Sequence, residues 1–111
     1  LLKSDKKNYQ MDFRNSNEAL REVSLDIKEG ADIVMVKPGM PYLDVIKLVK
    51  DNFKIPVFAY QVSGEYSLIS NGIKKGIISK NAILESLISF KRAGATAIVS
   101  YYADKINDFI K

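Results

Sequence analysis

Short, uninterrupted apolar runs that alternate with amphipathic helical segments constrain the fold of this chain more than any other feature. The clearest run, Ile-Val-Met-Val at 33–36, is rich in β-branched residues and has no polar residue within it. Such runs are typical of strands that are buried on both faces, as in parallel sheets. Because strands alternating with helices indicate βαβ units, the sequence predicts an α/β fold with parallel strands.

The predicted order of elements is loop, helix, strand, helix, strand, two helices, strand and helix. Residues 1–15 are predicted to be a loop, and strands are predicted at 32–37, 57–62 and 96–101. Helices are predicted from the N-cap Asn15 to Gly30, from Pro41 to Phe53, and over 65–73, 81–92 and 103–110. The faces predicted to be buried carry Ala19, Leu20, Val23 and Ile27 in the first helix, Tyr42, Val45, Ile46, Val49 and Phe53 in the second, and Ile83, Leu84, Leu87, Ile88 and Lys91 in the helix at 81–92.

Three parallel strands leave two open edges, and an all-parallel sheet is stable mainly when both faces are covered or the sheet closes into a barrel. The chain is therefore either a small open α/β domain or the later part of a β/α barrel. In both architectures ligands bind at the C-terminal ends of the strands.

Composition excludes several classes of function. The 111 residues include no cysteine and no histidine, so disulfides, thiolate metal sites and histidine general bases are absent from this sequence. The net charge of +4 comes from scattered lysines and not from the dense basic stripe of a nucleic-acid surface. No apolar run is long enough to span a membrane, and a reducing, cytoplasmic location is expected. The chain begins with Leu1 and not with methionine, which favours a piece of a longer protein.

Lys37 is the first candidate for chemistry, because it follows the buried run directly and precedes Pro38 and Gly39. An apolar wall behind such an amine disfavours its charged form. A neutral lysine at a strand end can attack a carbonyl and form a Schiff base. The alternative is a lysine whose stem covers apolar surface while its amine reaches water.

The other two predicted strands bring further polar groups to the same rim. The second strand leads into Ser63 and Glu65, and the third ends at Tyr101 and Tyr102. Hydroxyls at this rim can donate hydrogen bonds to the carboxylate of a substrate bound to Lys37. The alternatives are that Ser63 lies in a plain turn and that the two tyrosines only pack against the core.

Two sequence blocks are more specific than these general patterns. Met-Val-Lys-Pro-Gly at 35–39 and Gln-Val-Ser-Gly-Glu-Tyr at 61–66, together with shorter matches along nearly the whole chain, resemble the δ-aminolevulinic acid dehydratase (porphobilinogen synthase) family. The shorter matches are Tyr9-Gln-Met-Asp12, Glu18–Glu22, Tyr42-Leu-Asp44, Leu84–Leu87, Lys91–Ala95 and Ser100-Tyr101. The resemblance implies that residues 1–111 are the C-terminal part, about three βα units, of a single β/α (TIM-type) barrel catalytic domain.

The resemblance also implies an activity and assigns roles. Such enzymes are lyases that condense two molecules of 5-aminolevulinate to porphobilinogen, with loss of two waters, in tetrapyrrole and heme synthesis. Lys37 matches the lysine that forms the Schiff base, and Ser63 and Tyr101 match residues that hold the carboxylate of that substrate. Lys6 and Gln10 match the flap over the second substrate, and residues 1–15 would be its remnant. The family usually has arginine at position 6, and a lysine lacks the bidentate fork of arginine.

Further parts of the family pattern concern metals and assembly. Glu22 matches the carboxylate of an allosteric magnesium site, and a catalytic zinc or magnesium site would lie upstream of this sequence. A second Schiff-base lysine and the N-terminal arm of a homo-octamer would also lie upstream, so the chain alone is expected to be inactive. Two other hypotheses remain open from the residues: a different Schiff-base barrel such as an aldolase, and a small α/β module that binds an anionic ligand without catalysis.

Overall fold

The computed structural model describes residues 16–104. The predicted N-terminal loop, the N-cap Asn15 and all but the first two residues of the helix predicted at 103–110 lie outside this range. The described elements are α1 (Ser16–Lys28), β1 (Val34–Val36), a 3-10 turn (Met40–Tyr42), α2 (Leu43–Asn52), β2 (Val57–Gln61), α3 (Ser63–Lys74), α4 (Ala82–Ala93) and β3 (Ala97–Ser100). Their order confirms the predicted alternation of helices and strands between residues 16 and 100.

The three strands form one parallel sheet in the order β1-β2-β3. Val36 pairs with Ala59 across the first ladder, and Gln61 pairs with Ser100 across the second. Each connection between neighbouring strands contains helix, as parallel pairing requires. The predicted parallel α/β arrangement is therefore confirmed, with shorter strands than predicted.

The hydrophobic core lies between one face of the sheet and the helices. Val34, Val36, Val57 and Ala59 alternate with less buried neighbours along β1 and β2, so that every second side chain enters the core. The helices contribute Val45, Ile46 and Val49 from α2, Ile69 from α3, and Ile83, Leu87 and Phe90 from α4. The α2 face that the sequence predicted is the one that is buried.

The buried face of α4 agrees with the prediction at Ile83 and Leu87 but differs from it at other positions. Ser86 and Phe90 enter the core, whereas Ile88 is 46% exposed and Lys91 is exposed. A helix that buries Ile83 and Phe90 turns Ile88 and Lys91 away from the core. At about 100° per residue, Ile88 lies about 140–160° and Lys91 about 80–100° around the helix axis from those two residues. The error arose because Ser86, a polar residue, was not expected in the core.

The start of α3 also differs from the prediction. Ser63 and Gly64 were expected to break the strand before a helix at 65–73, but they form the first turn of α3. A carboxylate oxygen of Glu65 accepts a hydrogen bond of 2.9 Å from the backbone N–H of Val62. Val62 has no polar side chain to return this bond, so the helix begins with half of a capping box.

Glycines follow the ends of α1 and α4, and the one after α1, Gly30, was predicted. Gly30 and Gly94 have φ angles of +100° and +115°, which residues with a Cβ atom rarely adopt. Within residues 16–104, no helix is long and apolar enough to cross a membrane.

Candidate active site

The sheet register brings the predicted site residues to one edge. Lys37 is the first residue after β1, Tyr101 is the first after β3, and Ser63 follows β2 by two residues. Because the strands are parallel and paired in register, all three positions lie at the C-terminal edge of the sheet. An amine and two hydroxyls therefore share the edge at which α/β proteins bind ligands.

Lys37 lies in a loop that is fastened to the neighbouring strand and helix. The N–H of Gly39 donates a hydrogen bond of 2.9 Å to the carbonyl of Tyr60, at the end of β2. The N–H of Met40 donates one of 2.7 Å to Oε2 of Glu65, in the first turn of α3. The Lys37 side chain is exposed, so the apolar wall expected behind its amine is not formed by residues 16–104.

Tyr101 lies beside two other tyrosines at this edge. Its ring centroid is 5.3 Å from that of Tyr66 on α3, and its side chain is 52% exposed. A hydrogen bond with the Tyr60 hydroxyl, and repulsion between the two phenolates, raise the pKa of Tyr101 above its ordinary value of 10.0. A tyrosine is protonated at neutral pH even at its ordinary pKa, so the Tyr101 hydroxyl can donate a hydrogen bond to an anion.

Tyr102 has a structural role and is not open to the rim. It is 3% exposed, its ring lies 4.6 Å from that of Tyr66, and its hydroxyl donates a hydrogen bond of 3.3 Å to the Tyr66 carbonyl. The Ser70 hydroxyl on α3 also hydrogen-bonds to that of Tyr102. Tyr102 thus anchors the end of β3 to α3, and the packing alternative applies to it.

A buried network of hydrogen bonds around Gln61 lies next to this edge. Gln61 is fully buried; its Nε2 donates a hydrogen bond of 2.9 Å to Ser86 Oγ, and its Oε1 accepts one of 2.6 Å from Ser100 Oγ. Ser86 Oγ in turn donates to the carbonyl of Ile83, and Ser100 Oγ accepts from the N–H of Tyr102. Every polar atom of the Gln61 side chain has a partner, which fixes the ends of β2 and β3 relative to α4.

Comparison with known proteins decides the family. The family model for delta-aminolevulinic acid dehydratase matches residues 2–109 of the 111. The chain belongs to the delta-aminolevulinic acid dehydratase family. The resemblance inferred from the blocks at 35–39 and 61–66 is therefore confirmed.

Relatives in this family are similar over most of the chain. The delta-aminolevulinic acid dehydratase of Bradyrhizobium diazoefficiens is 60% identical over 105 residues, which are 94% of this chain and 30% of that protein. The enzyme of that name from Archaeoglobus fulgidus is 56% identical over 102 residues, which are 92% of this chain and 32% of that protein. The chain thus spans about a third of the length of these relatives.

A crystal structure of a family member shares the fold. The delta-aminolevulinic acid dehydratase (porphobilinogen synthase) of Toxoplasma gondii ME49, in complex with the reaction product porphobilinogen, superposes with a TM-score of 0.87 and 51% identity. The match covers 96% of this chain and 31% of that one. The three parallel strands and their helices therefore correspond to one part of a β/α barrel.

Three residues that the family pattern predicts to be functional lie away from this edge or outside the described residues. Lys6 and Gln10 precede residue 16, so their place at the site stays a prediction. Glu22 lies within α1, a helix that packs against α2. The family is metal-dependent, but no group of three or more Asp, Glu, His or Cys side chains within residues 16–104 is arranged to hold a metal ion. The role of Glu22 as a ligand of a magnesium ion therefore stays a prediction.

The sequence predicts the shared edge but indicates no role there for Tyr60, Gln61 or Glu65. Tyr60 and Gln61 lie on β2, where the sheet register places Tyr60 opposite Val99 and Gln61 opposite Ser100 on β3. A polar residue within an otherwise apolar strand, such as Gln61, is a signal for a buried hydrogen-bonded group. The signal for Glu65 is its position three residues after Val62, the spacing of a capping box.

Proposed function

We propose that this chain is the part of a porphobilinogen synthase that binds one of the two 5-aminolevulinate molecules, with Lys37 as the residue that forms a Schiff base with it. The supporting observation is that Lys37, Ser63 and Tyr101 meet at the C-terminal edge of one parallel sheet in a chain of this family. The product bound in the Toxoplasma gondii relative supports the same substrate class.

The chemistry of Lys37 starts from its neutral amine. The Nζ atom attacks the ketone carbon, so that a C–N bond forms and the C=O π bond breaks. The oxygen gains a proton and the nitrogen loses its first one, which leaves an alcohol on the same carbon. The alcohol oxygen takes up a proton and leaves as water, and the nitrogen loses its second proton as the imine C=N bond forms. The imine holds the substrate covalently and, when protonated, withdraws electrons from the adjacent carbon, which makes carbon–carbon bond formation easier.

Ser63 and Tyr101 orient the substrate at its other end. The substrate carboxylate accepts hydrogen bonds from the two hydroxyls, and such bonds to a charged group are stronger than neutral ones. Tyr101 suits this role because a tyrosine hydroxyl, with an ordinary pKa of 10.0, is protonated at neutral pH and can donate a hydrogen bond; Tyr60 raises the pKa of Tyr101 further. Fixing the carboxylate and the ketone at once reduces the freedom that the reaction would otherwise have to restrict.

The remaining steps involve the rest of the protein. Lys6 and Gln10 would cover the second 5-aminolevulinate, and a second Schiff-base lysine would lie upstream. Condensation of the two substrates releases two waters in all. Glu22 would hold an allosteric magnesium ion with water as the other ligands, since one carboxylate plus waters suffices for this ion. The complete protein would be a cytoplasmic homo-octamer.

The two alternative hypotheses are less well supported. An aldolase of another family would share a lysine at a strand end but has no reason to carry the blocks at 35–39 and 61–66. A non-catalytic module would not require an amine and two hydroxyls at one edge of the sheet. Membership of the delta-aminolevulinic acid dehydratase family favours the synthase over both.

Activity of the full-length protein that carries this chain tests the proposal. Formation of porphobilinogen from 5-aminolevulinate is expected for the unaltered protein and is expected to be abolished by Lys37→Ala. Lys54→Ala is the matched control, because Lys54 is also exposed but precedes β2 and so lies at the opposite edge of the sheet. Activity that survives Lys37→Ala, or is lost equally in both variants, would overturn the proposal.

A further inference from the structure

Glu65 is a buried carboxylate that joins two segments of the candidate site. It is 8% exposed, and its two oxygens accept hydrogen bonds from backbone groups that lie far apart in sequence. Oε1 accepts from the N–H of Val62, and Oε2 accepts from the N–H of Met40 at 2.7 Å. Met40 follows Lys37 by three residues, and Val62 immediately precedes Ser63.

A glutamate whose only role was to cap the start of a helix would need only one of these two hydrogen bonds. In a capping box, the glutamate three residues into the helix accepts a bond from the N-cap N–H and leaves its second oxygen for water. Here the second oxygen is used across 25 residues, on the loop that leads from β1. The bond to Met40 does nothing for α3 itself, and its effect is to hold that loop against the first turn of the helix.

The loop has two other ties to the end of β2, one at Gly39 and one from Nε2 of Gln61 to the sulfur of Met40, at 3.7 Å. The N–H of Gly39 bonds to the carbonyl of Tyr60, so the β1 loop is attached at two successive residues to β2 and α3. The tie at Gly39 is between backbone atoms and persists in any side-chain variant. The bond from the Met40 N–H depends on the side chain of Glu65, so a substitution of Glu65 tests it.

We infer that Glu65 is a positioning residue, which sets the distance between the Lys37 amine and the Ser63 hydroxyl by clamping the backbone of both segments. It touches neither reacting atom. This inference rests on the proposed function, since the distance matters only if one ligand spans Lys37 and Ser63. The affinity of a ligand with a ketone at one end and a carboxylate at the other would depend on this distance.

A comparison of two ketones with the same number of carbon atoms distinguishes an effect on positioning from an effect on protein stability. The first, 4-oxopentanoate, has the ketone and the carboxylate; the second, 2-pentanone, has a methyl group in place of the carboxylate. Each is incubated with the full-length protein and borohydride, and the concentration that half-saturates modification of Lys37 is measured by peptide mass spectrometry. The ratio of the two concentrations is the preference for the carboxylate. If part of a variant is unfolded, the yield of adduct falls for both ketones, but the ratio of the two half-saturating concentrations stays the same.

Glu65→Gln is expected to reduce the preference about tenfold, because an NH2 group replaces one of the two carboxylate oxygens and cannot accept from the N–H that faces it, so one segment is released. Trapping of 2-pentanone is expected to change little. Glu85→Gln is the matched control, since Glu85 is an exposed glutamate in the first turn of α4. Should the glutamine variant fail to fold, Glu65→Asp is measured instead; it keeps the charge, but its shorter side chain cannot reach both groups, so the same fall is expected.

The outcomes separate this inference from the proposed function. If the unaltered protein traps neither ketone on Lys37, or traps them without preference, the proposed function fails and the role of Glu65 fails with it. If the unaltered protein prefers 4-oxopentanoate and the Glu65 variant keeps that preference, the positioning role alone is overturned. A fall in preference that Glu85→Gln does not reproduce supports it.

Discussion

The loop after β1 crosses the end of β2 so closely that Gly39 and Phe90 leave no room for a methyl group between them. A Cβ atom added to Gly39 would lie 2.5 Å from Cε1 of Phe90 and 3.2 Å from the carbonyl oxygen of Tyr60. Phe90 is fully buried and Tyr60 O is backbone, so neither can move aside easily. Close approach, and not an unusual φ angle, is what requires glycine here.

We therefore expect Gly39→Ala to destabilise the protein by about 1–3 kcal/mol, the usual cost of forcing extra volume into a packed core. Chemical denaturation measures the change in the free energy of unfolding. Gly64→Ala is the control, because a Cβ there meets nothing within 4 Å and Gly64 lies in the first turn of α3. Equal stability of the Gly39 variant and the unaltered protein would contradict the packing described.

The buried hydrogen bonds of Gln61 predict coupled effects of substitutions on the free energy of unfolding. Gln61→Leu leaves the Ser100 hydroxyl without its acceptor, and Ser100→Ala leaves Gln61 Oε1 without its donor. Each change is expected to cost about 1–3 kcal/mol, the range for an unsatisfied buried polar group. Because both remove the same bond, the double variant should lose clearly less than the sum of the two. Strict additivity in denaturation experiments would argue against the bond, and Ser67→Ala, at an exposed position on α3, serves as control.

The Tyr60–Tyr101 pair predicts a change in titration. Since Tyr60 raises the pKa of Tyr101 through a hydrogen bond and through charge repulsion, Tyr60→Phe removes both effects and should lower the pKa of Tyr101 toward 10.0. Ionisation of Tyr101 would then begin at lower pH. NMR titration of ¹³C-labelled tyrosines, with Tyr101→Phe to assign the signal, measures this pKa, and Tyr42→Phe is the control. An unchanged or higher pKa in the Tyr60 variant would show that the pair does not interact as described.

The proposed carboxylate contacts predict a kinetic signature in the full-length protein. Ser63→Ala and Tyr101→Phe should each raise KM for 5-aminolevulinate about tenfold or more, because a hydrogen bond to a charged group contributes about 1.5–3 kcal/mol. The maximal rate should fall less, since Lys37 is intact. Steady-state kinetics with Ser67→Ala for comparison tests this. If the two variants lower kcat while KM stays constant, the hydroxyls do not hold the carboxylate in the ground state.

Much of the fold followed from local patterns, and the exceptions have physical causes. The apolar run at 33–36 and the stripe Val45, Ile46 and Val49 identified β1 and α2, because burial alone decides such positions. Strand ends were less predictable, since they depend on the partner: β1 pairs only over 34–36, where β2 offers 57–59. Helix α3 began earlier than predicted because a side chain in its own first turn, Glu65, caps it.

Some features of the candidate site, like those of the fold, followed from the sequence and others did not. The rule that parallel strands bring their C-terminal ends together predicted that Lys37, Ser63 and Tyr101 share one edge, and the register agrees. The contacts that hold the edge together join residues far apart in sequence, such as Met40 with Glu65 and Gln61 with Ser100. No local pattern encodes such pairs, and only the tertiary structure brings them into view.

The central claim is that Lys37 forms an imine with the ketone of 5-aminolevulinate. The most direct measurement is borohydride reduction of the full-length protein in the presence of this substrate, followed by digestion and mass spectrometry of the peptide that contains Lys37. We predict a stable adduct on Lys37 that disappears in Lys37→Arg and persists in Lys54→Arg. A Lys37 that stays unmodified while the protein forms porphobilinogen would contradict the account.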